Sequence, residues 1–308
     1  ALLRRFGRDI VQGSGGDLQM RSGHLSTRLS SARRGSPYIV CWILRSSSKE
    51  DFLKSEAIRF GWGRHCDHLE YIDRGTPGIM ADWEEGHKHI AGKSFRAWQF
   101  IDEKYVRDAE RTGNRTVDFA VKADTDTYII GDHLREYLNR FDPDLPHYIG
   151  KQLMHAEGYP MVAGTAIILS RAALRIFAKA SYKSAGKCTW EGWFPGAEDV
   201  ALALCLREHG VYPHDTKDAN GAERFMVLNP NKLLSTATPL PEWYVKMSMN
   251  KEAGKACCSP DAIAFHHVTL KQLNDEEPKR IDGEWSWIDL STTLGAGSAN
   301  FSEVQLRQ

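Results

Sequence analysis

The chain has 308 residues, of which 42% are hydrophobic, and it carries 40 basic and 40 acidic side chains. This length suits one large domain or two small ones. A formal net charge of zero gives no electrostatic reason to expect a nucleic acid partner. No run of about 18 apolar residues is present, so we predict no membrane-spanning helix within this sequence.

The first 36 residues lack the periodicity of a folded domain. They combine many arginines with glycine and serine, and no apolar period is sustained. We therefore predict a flexible basic leader, or stem, over residues 1–36.

Strands and helices alternate from residue 38 to about residue 215. Tyr38–Leu44 is a continuous apolar run, typical of a strand buried on both faces of a parallel sheet. Ser47 and Glu50 form an S-x-x-E capping box, which predicts the start of a helix. Further predicted elements are a strand over His68–Ile72, a helix over 90–109, a strand from Val117, a helix over Asp132–Phe141, a strand over Met161–Leu169, helices over Arg171–Ala180 and Glu198–His209, and a late strand over Ala262–Val268. This order predicts an α/β fold with a mostly parallel sheet flanked by helices.

The strand that begins at Val117 leads into two carboxylates. Its apolar residues alternate with polar or small ones, which predicts a strand with one buried face, and Asp124-Thr125-Asp126 follows. Because strand side chains alternate, Asp124 and Asp126 point the same way. A hard cation would relieve their repulsion and could carry a diphosphate. The alternative is that both acids only cap the next helix. Ligands of open α/β sheets bind at the carboxyl ends of strands, which favours the metal or nucleotide site.

A second acidic pair and a histidine pair are further candidates. Glu198 and Asp199 begin a helix after a loop rich in glycine and proline. Either could act as a general base, or both could only complement the helix dipole, which favours the ionised carboxylate. His266 and His267 end the late strand, where alternation predicts that they project to opposite faces. One imidazole could complete a hard-cation site, for which manganese is the natural candidate.

Six cysteines and two glycosylation sequons point to the secretory pathway. None of the cysteines forms C-x-x-C, and their even number allows 15 pairings, among which the residues alone do not choose. The sequons begin at Asn114 and Asn300. Together these features favour an oxidising lumen.

A family resemblance rests on segments that occur in a fixed order between Val40 and Val268. They are Cys41–Leu44, Trp62–Cys66, Lys93–Phe100, Lys122–Tyr128, Leu134-Arg135, Leu169-Ser170, Ala173-Leu174, Glu198–Leu202 with Cys205, Asp215–Gly221, Trp243-Tyr244, Cys257–Ser259 and Phe265-His266. In this order they resemble the core 1 β-1,3-galactosyltransferases, within the wider β-1,3-glycosyltransferase family that includes the fringe enzymes.

The resemblance implies a GT-A fold, in which a Rossmann-like nucleotide half is fused to an acceptor-binding half. We expect these halves at about 37–150 and 151–270, within a catalytic domain over 37–270, followed by a polar C-terminal tail over 271–308. It also implies an inverting enzyme that moves a sugar from a UDP-sugar, most readily UDP-galactose, in a Mn2+-dependent reaction. The acceptor would be a hydroxyl of a glycan such as GalNAc-Ser/Thr, and the new linkage would be β-1,3.

Residue roles follow from the same resemblance. Asp199 matches the region of the catalytic base, with Glu198 as the alternative. The remaining implied roles are the metal ligands Asp124, Asp126 and His266; donor binding by Asp124, Asp126, Lys93 and Lys122; acceptor binding by Trp243, Tyr244 and Gly164; and the disulfides Cys41–Cys66, Cys188–Cys205 and Cys257–Cys258.

The resemblance further implies a luminal fragment of a type II Golgi membrane protein with an upstream anchor, and a homodimer such as some relatives form. Three stretches differ from the family pattern. Thr125 replaces the middle aspartate, Ala163–Ala166 replaces a glycine-rich stretch, and Val245–Asn250 replaces an aromatic run. The alternative function is that of a non-catalytic homologue, acting as a chaperone or a carbohydrate-binding module.

Overall fold

The structure is a computed structural model that describes residues 35–76, 89–183, 187–189, 197–229, 232–233, 239–249, 257–274, 278–281 and 284–286. All of them fall within one unit, Gly35–Gln308. The predicted leader lies outside the described residues, apart from its last two positions. Among the helices of the described part, none is both long and apolar enough to cross a bilayer.

The described strands are, in chain order, β1 (Ile39–Leu44), β2 (His68–Ile72), β3 (Phe119–Asp124), β4 (Tyr128–Ile129), β5 (Tyr148–Ile149), β6 (Gln152–Met154), β7 (Pro160–Val162), β8 (Ala166–Ser170), β9 (Phe225–Met226), β10 (Ala264–Phe265), β11 (Lys279–Ile281) and β12 (Glu284–Ser286). The described helices are α1 (Lys49–Phe60), α2 (Ile90–Asp102), α3 (Asp108–Thr112), α4 (Gly131–Leu138), α5 (Arg171–Tyr182), α6 (Glu198–Glu208), α7 (Glu242–Met247) and α8 (Leu270–Asn274). A π-helical turn, Glu103–Arg107, joins α2 to α3.

The central sheet has five strands in the order β2-β1-β3-β8-β5. β2, β1 and β3 pair in parallel, whereas β8 is antiparallel to both β3 and β5. Four of the five strands therefore share one direction, which confirms the predicted mostly parallel α/β sheet.

Helices pack on the sheet through aromatic contacts. Trp42 of β1 meets Trp98 of α2 edge to face, with ring centroids 4.9 Å apart. Phe95 of α2 meets Phe177 of α5 in the same way, at 4.8 Å. α2, α5 and α6 contact one another, which fixes the start of α6 against the sheet.

The prediction that β3 has only one buried face is wrong. Every residue from Phe119 to Ala123 is buried, because β3 lies inside the sheet and helices cover it. Its lysine, Lys122, is therefore enclosed together with its apolar neighbours.

Among the local differences from the prediction, three concern a helix cap and two strands. Ser48, not Ser47, caps α1 by accepting a hydrogen bond from the Asp51 backbone N–H. The strand predicted over Met161–Leu169 is divided into β7 and β8 by a turn at residues 163–165. The late strand keeps only the two residues of β10, since the chain turns sharply at His267.

Part of the predicted C-terminal tail belongs to the fold. β11 and β12 form a hairpin, and Trp285 on β12 is buried against Phe265. Its indole N–H donates to the Ser259 carbonyl at 2.9 Å. The boundary at residue 270 is therefore too early, because composition does not reveal one buried tryptophan in a polar stretch.

Candidate active site

A cavity of about 530 Å³ opens at the carboxyl end of β3. Its walls come from that strand end, the β7–β8 turn, the start of α6, α7 and the segment after β10. Residues that face it include Asp124, Gly164, Asp199, Trp243, His266 and His267.

Carboxylate and imidazole groups converge on one side of this cavity. Asp126 Oδ1 lies 3.1 Å from His266 Nε2, and Asp124 Oδ2 lies 3.5 Å from the same nitrogen. β10 brings them together by pairing antiparallel with β4, with Phe265 opposite Tyr128. The Thr165 hydroxyl contacts the other ring nitrogen of His266 at 3.1 Å. The predicted metal ligands are thus neighbours, although they are far apart in the sequence.

The prediction that the two histidines project to opposite faces is wrong. His267 has φ 57°, in the left-handed region, so strand alternation ends there. Its ring stacks on that of His266, with centroids 3.9 Å apart. His267 Nδ1 consequently lies 3.2 Å from Asp126 Oδ2, on the same side as His266.

Opposing charges hold both aspartates in the ionised form. Burial alone would raise the pKa of Asp124, but the Lys122 ammonium and His266 outweigh it and lower that pKa. Burial also opposes the ionisation of Asp126, and hydrogen bonds from the two histidines lower its pKa well below the usual range. In turn, the two carboxylates overcome the effect of burial and raise the pKa of His266 to about 9.

Lys122 joins this group to the start of α6. Its ammonium is buried and donates to Asp124 Oδ1 at 2.8 Å, to the Gly164 carbonyl at 3.1 Å, and to Glu198 Oε1. The second oxygen of Glu198 accepts a hydrogen bond from the Ser94 hydroxyl on α2. Glu198 therefore has a partner on each oxygen.

Asp199 is the less engaged member of the acidic pair. Burial raises the pKa of Asp199 to about 6, and the Glu198 carboxylate adds to the rise. The Val200 backbone N–H donates to its Oδ1 at 2.8 Å and opposes the shift. Sequence reasoning expected the helix start to favour the carboxylate, and burial outweighs that effect. A carboxyl group with this pKa can accept a proton near neutral pH.

Thr125 faces away from the convergent aspartates. Its hydroxyl donates to Asp51 Oδ1 at 2.8 Å and so connects the β3–β4 turn to the start of α1. An aspartate at position 125 would place a second carboxylate against Asp51. Threonine at position 125 therefore avoids this repulsion and leaves Asp124 and Asp126 in position.

The three predicted acceptor residues have different surroundings. Trp243 is 44% exposed and lines the cavity. Gly164 also lines it, and a Cβ atom there would lie 3.6 Å from Glu198 Oε1. Tyr244 is buried, with its ring 5.8 Å from the Lys151 ammonium. Only Trp243 offers the cavity an exposed aromatic surface among these three.

The remaining predicted positions lie outside this constellation. Lys93 is buried on α2, next to Ser94. Asn114 is exposed just after α3, as a glycosylation site requires, whereas Asn300 lies outside the described residues. The structure contains the three expected disulfides, Cys41–Cys66, Cys188–Cys205 and Cys257–Cys258.

Sequence reasoning missed two polar residues that support the site. Ser94 holds Glu198, and Thr165 contacts His266. Neither residue has a distinctive spacing, although Ser94 belongs to the K-S-F-R-A-W-Q-F segment that carried the resemblance. Tertiary packing of α2 against α6 alone reveals the first contact.

We expect Lys122→Met to destabilise the domain by about 3–5 kcal/mol, because it leaves a buried carboxylate without its cation. Chemical denaturation at neutral pH measures this loss. Lys104→Met is the matched control, since Lys104 is 48% exposed and pairs with Glu70 at the surface, where such pairs contribute at most about 1 kcal/mol. Equal losses of unfolding free energy in the two variants would show that the Lys122–Glu198 contact stabilises the domain no more than a surface ion pair does.

Comparison with known proteins identifies a related sequence. No family model matches the chain. Over 246 residues the chain is 30% identical to the glycoprotein-N-acetylgalactosamine 3-beta-galactosyltransferase 1 of Xenopus laevis. The match covers 76% of this chain and 64% of that protein, so the chain spans a little under two thirds of its relative.

Solved structures similar to the chain are also glycosyltransferases. One is involved in the glycosylation of the major capsid of PBCV-1, with 18% identity and a TM-score of 0.37, covering 58% of this chain and 82% of that chain. Another is the galactosyltransferase LgtC in complex with donor and acceptor sugar analogues, with 11% identity and a TM-score of 0.40. That match covers 74% of this chain and 86% of the LgtC chain. These scores are too low to carry an argument of their own.

The chain is a homologue of a glycosyltransferase over three quarters of its length. Its fold is a mostly parallel α/β sheet flanked by helices. The Xenopus relative confirms the resemblance to the core 1 β-1,3-galactosyltransferases that the sequence predicted.

Proposed function

We propose that this protein is an inverting glycosyltransferase that moves galactose from UDP-galactose to a hydroxyl of a glycan acceptor. A β-1,3 linkage to GalNAc-Ser/Thr is the favoured product. The observation that carries the proposal is the placement, around one cavity, of a carboxylate–imidazole group and a separate carboxyl with a raised pKa. The name of the Xenopus relative supports the choice of sugar and linkage.

Asp199 is the general base in this proposal. It takes the proton from the acceptor hydroxyl while that oxygen attacks C1 of the galactose. The new C1–O bond forms as the bond from C1 to the diphosphate breaks, so that UDP leaves from the opposite face and the configuration inverts. A positioned base of this kind contributes roughly 10²–10⁴-fold in rate.

The donor diphosphate would be bound at the other side of the cavity. Asp124, Asp126 and His266 fit a hard or borderline divalent cation, because the two carboxylates are ionised and share an imidazole neighbour. A bound Mn2+ would supply positive charge against the departing diphosphate. Donor binding by Lys93 remains a prediction.

Contacts with Lys122 and Ser94 distinguish the role of Glu198 from that of Asp199. They occupy both oxygens of Glu198, so Asp199 is the carboxyl that is left to take the acceptor proton. The negative charge of Glu198 in turn helps to raise the pKa of Asp199. Lys122 also contacts Asp124, so one ammonium orients both sides of the reaction centre.

We propose Trp243 as a platform for the acceptor sugar, with Gly164 at the same wall and Tyr244 behind it. An exposed indole beside the catalytic acids suits the apolar face of a pyranose ring.

We also propose that the protein works in the Golgi lumen as part of a type II membrane protein. The three disulfides and the exposed sequon at Asn114 support an oxidising compartment.

Transfer should depend on the ionisation of Asp199. With metal and donor saturating, the rate should fall about tenfold for each pH unit below about 6, because the base becomes protonated there. Above pH 6 the rate should reach a plateau. A pH–rate profile between 5 and 8 measures this, and a flat profile across that range would contradict Asp199 as the base.

The proposed function is tested most simply by a donor screen. Wild-type protein is incubated with UDP-galactose, UDP-GlcNAc or UDP-GalNAc, with Mn2+ or EDTA, and with or without a GalNAc-peptide. We expect UDP release that requires Mn2+, is greatest with UDP-galactose and increases with the acceptor. Absence of release with all three donors would favour the non-catalytic alternative.

A further inference from the structure

We propose that His267 is a further ligand of the cation that Asp124, Asp126 and His266 hold, so that the site offers two imidazoles rather than one. This inference rests on the proposed metal site of the preceding section. The side chain is 54% exposed, so an ion from solution can reach it. It also faces the same cavity as Asp124 and His266.

The first argument is the backbone of His267. Among the described residues it is the only non-glycine residue with positive φ, at 57°. Such a conformation is unfavourable for most side chains, and residues that keep it cluster at functional sites. An extended backbone would send the ring to the opposite face from His266. The left-handed turn is therefore what brings the second imidazole to Asp126.

Two hydrogen bonds hold this turn. The Asn229 side-chain amide donates to the His267 carbonyl at 2.6 Å, and the Val268 backbone N–H donates to the Asp126 carbonyl at 3.0 Å. The backbone N–H of His266 donates to the Met226 carbonyl at 3.0 Å on the preceding strand. The surrounding structure thus fixes the backbone that carries both rings.

The second argument is the geometry of the donor atoms. The ligand atoms of Asp126, His266 and His267 all lie within 4.8 Å of one another. Asp126 Oδ1 lies 3.1 Å from His266 Nε2, and Asp126 Oδ2 lies 3.2 Å from His267 Nδ1. Ligands about 2.1 Å from a divalent ion in octahedral geometry are about 3 Å apart when adjacent. The three groups can therefore converge on one ion with little rearrangement.

A second imidazole changes which ion the site prefers. Nitrogen donors suit Mn2+, Co2+ and Zn2+, whereas Mg2+ prefers oxygen ligands and water. Loss of His267 should therefore weaken the binding of Mn2+ and Co2+ more than that of Mg2+.

The test measures metal binding by the purified domain in His267→Gly and His267→Asn. Both replacements tolerate positive φ, so the turn is kept while the imidazole is removed. We expect the Kd for Mn2+ to rise about tenfold in each variant, with a change of less than about threefold for Mg2+. In the electron paramagnetic resonance spectrum of bound Mn2+, wild type should show coupling to two ring nitrogens and His267→Gly to one.

Controls separate this inference from the proposed function. His65→Asn, an exposed histidine outside the cavity, should leave Mn2+ binding unchanged. His267 variants that fold and bind Mn2+ as tightly as wild type, with two nitrogen couplings, would overturn the inference while His266→Ala still abolishes binding. A wild type that binds no Mn2+ would overturn both metal claims, and UDP release in EDTA would then decide whether the protein is still a transferase.

Discussion

Asp199→Asn should lower sugar transfer by roughly 10²–10⁴-fold while leaving the affinities for UDP-galactose and Mn2+ nearly unchanged. The reason is that the amide has nearly the same shape as the carboxyl but cannot accept the acceptor proton. Asp199 has no contact with the metal-side carboxylates among the described hydrogen bonds, so donor binding should persist. Single-turnover transfer and calorimetric binding of UDP and Mn2+ measure the two effects separately.

Glu198→Gln is the matched comparison for this variant. Glu198 accepts hydrogen bonds from Lys122 and Ser94, so its replacement should weaken folding and lower the pKa of Asp199 by removing a negative neighbour. Transfer by Glu198→Gln should therefore fall less than transfer by Asp199→Asn. The acidic limb of the pH–rate profile of Glu198→Gln should also move to lower pH. If Asp199→Asn transfers sugar at nearly the wild-type rate while Glu198→Gln is inactive, the roles in the pair are reversed. If both are fully active, the acids only cap α6.

Asp126→Asn should weaken Mn2+ and UDP-galactose together, each by roughly 100-fold or more, because the amide removes a charge that both histidines and the ion need. Asp126 contacts His266 through one oxygen and His267 through the other, so no neighbour can replace it. Titration of the variant with Mn2+, followed by UDP-galactose at saturating metal, measures the two affinities.

Asp132→Asn serves as the control for Asp126→Asn, since its side chain is 86% exposed on α4. It should bind both ligands as wild type does. Loss of donor affinity with intact Mn2+ affinity in Asp126→Asn would assign this residue to the donor alone. Unchanged affinities for both would remove it from the site.

The inner strand β1 was predictable because burial dictates its apolar composition. β1 and β2 follow from short β-rich runs, and their parallel pairing follows from the helix between them. The position of Asp124 at the cavity follows from the rule that sheet ligands bind at carboxyl strand ends. In contrast, the disulfide pairs came from family resemblance, because six cysteines alone leave every pairing open.

Other features depend on tertiary packing and were not predictable. Alternation predicted one buried face for β3, yet helices cover both faces of this strand and enclose the Lys122 ammonium with Glu198. The apolar run over Met161–Leu169 conceals the turn at residues 163–165 because residues on both sides are buried. The orientation of His267 follows from one backbone dihedral, which a pattern with a period of two cannot reveal.

The most direct test of the central claim is the stereochemistry of the product. Wild-type protein is supplied with UDP-galactose, Mn2+ and a GalNAc-Ser/Thr peptide, and the new linkage is assigned by NMR spectroscopy. Direct attack on C1 by an acceptor oxygen that Asp199 deprotonates predicts a β-linked galactose on the 3-hydroxyl, inverted relative to the donor. An α-linked galactose would contradict the single-displacement mechanism and the role of Asp199 in it.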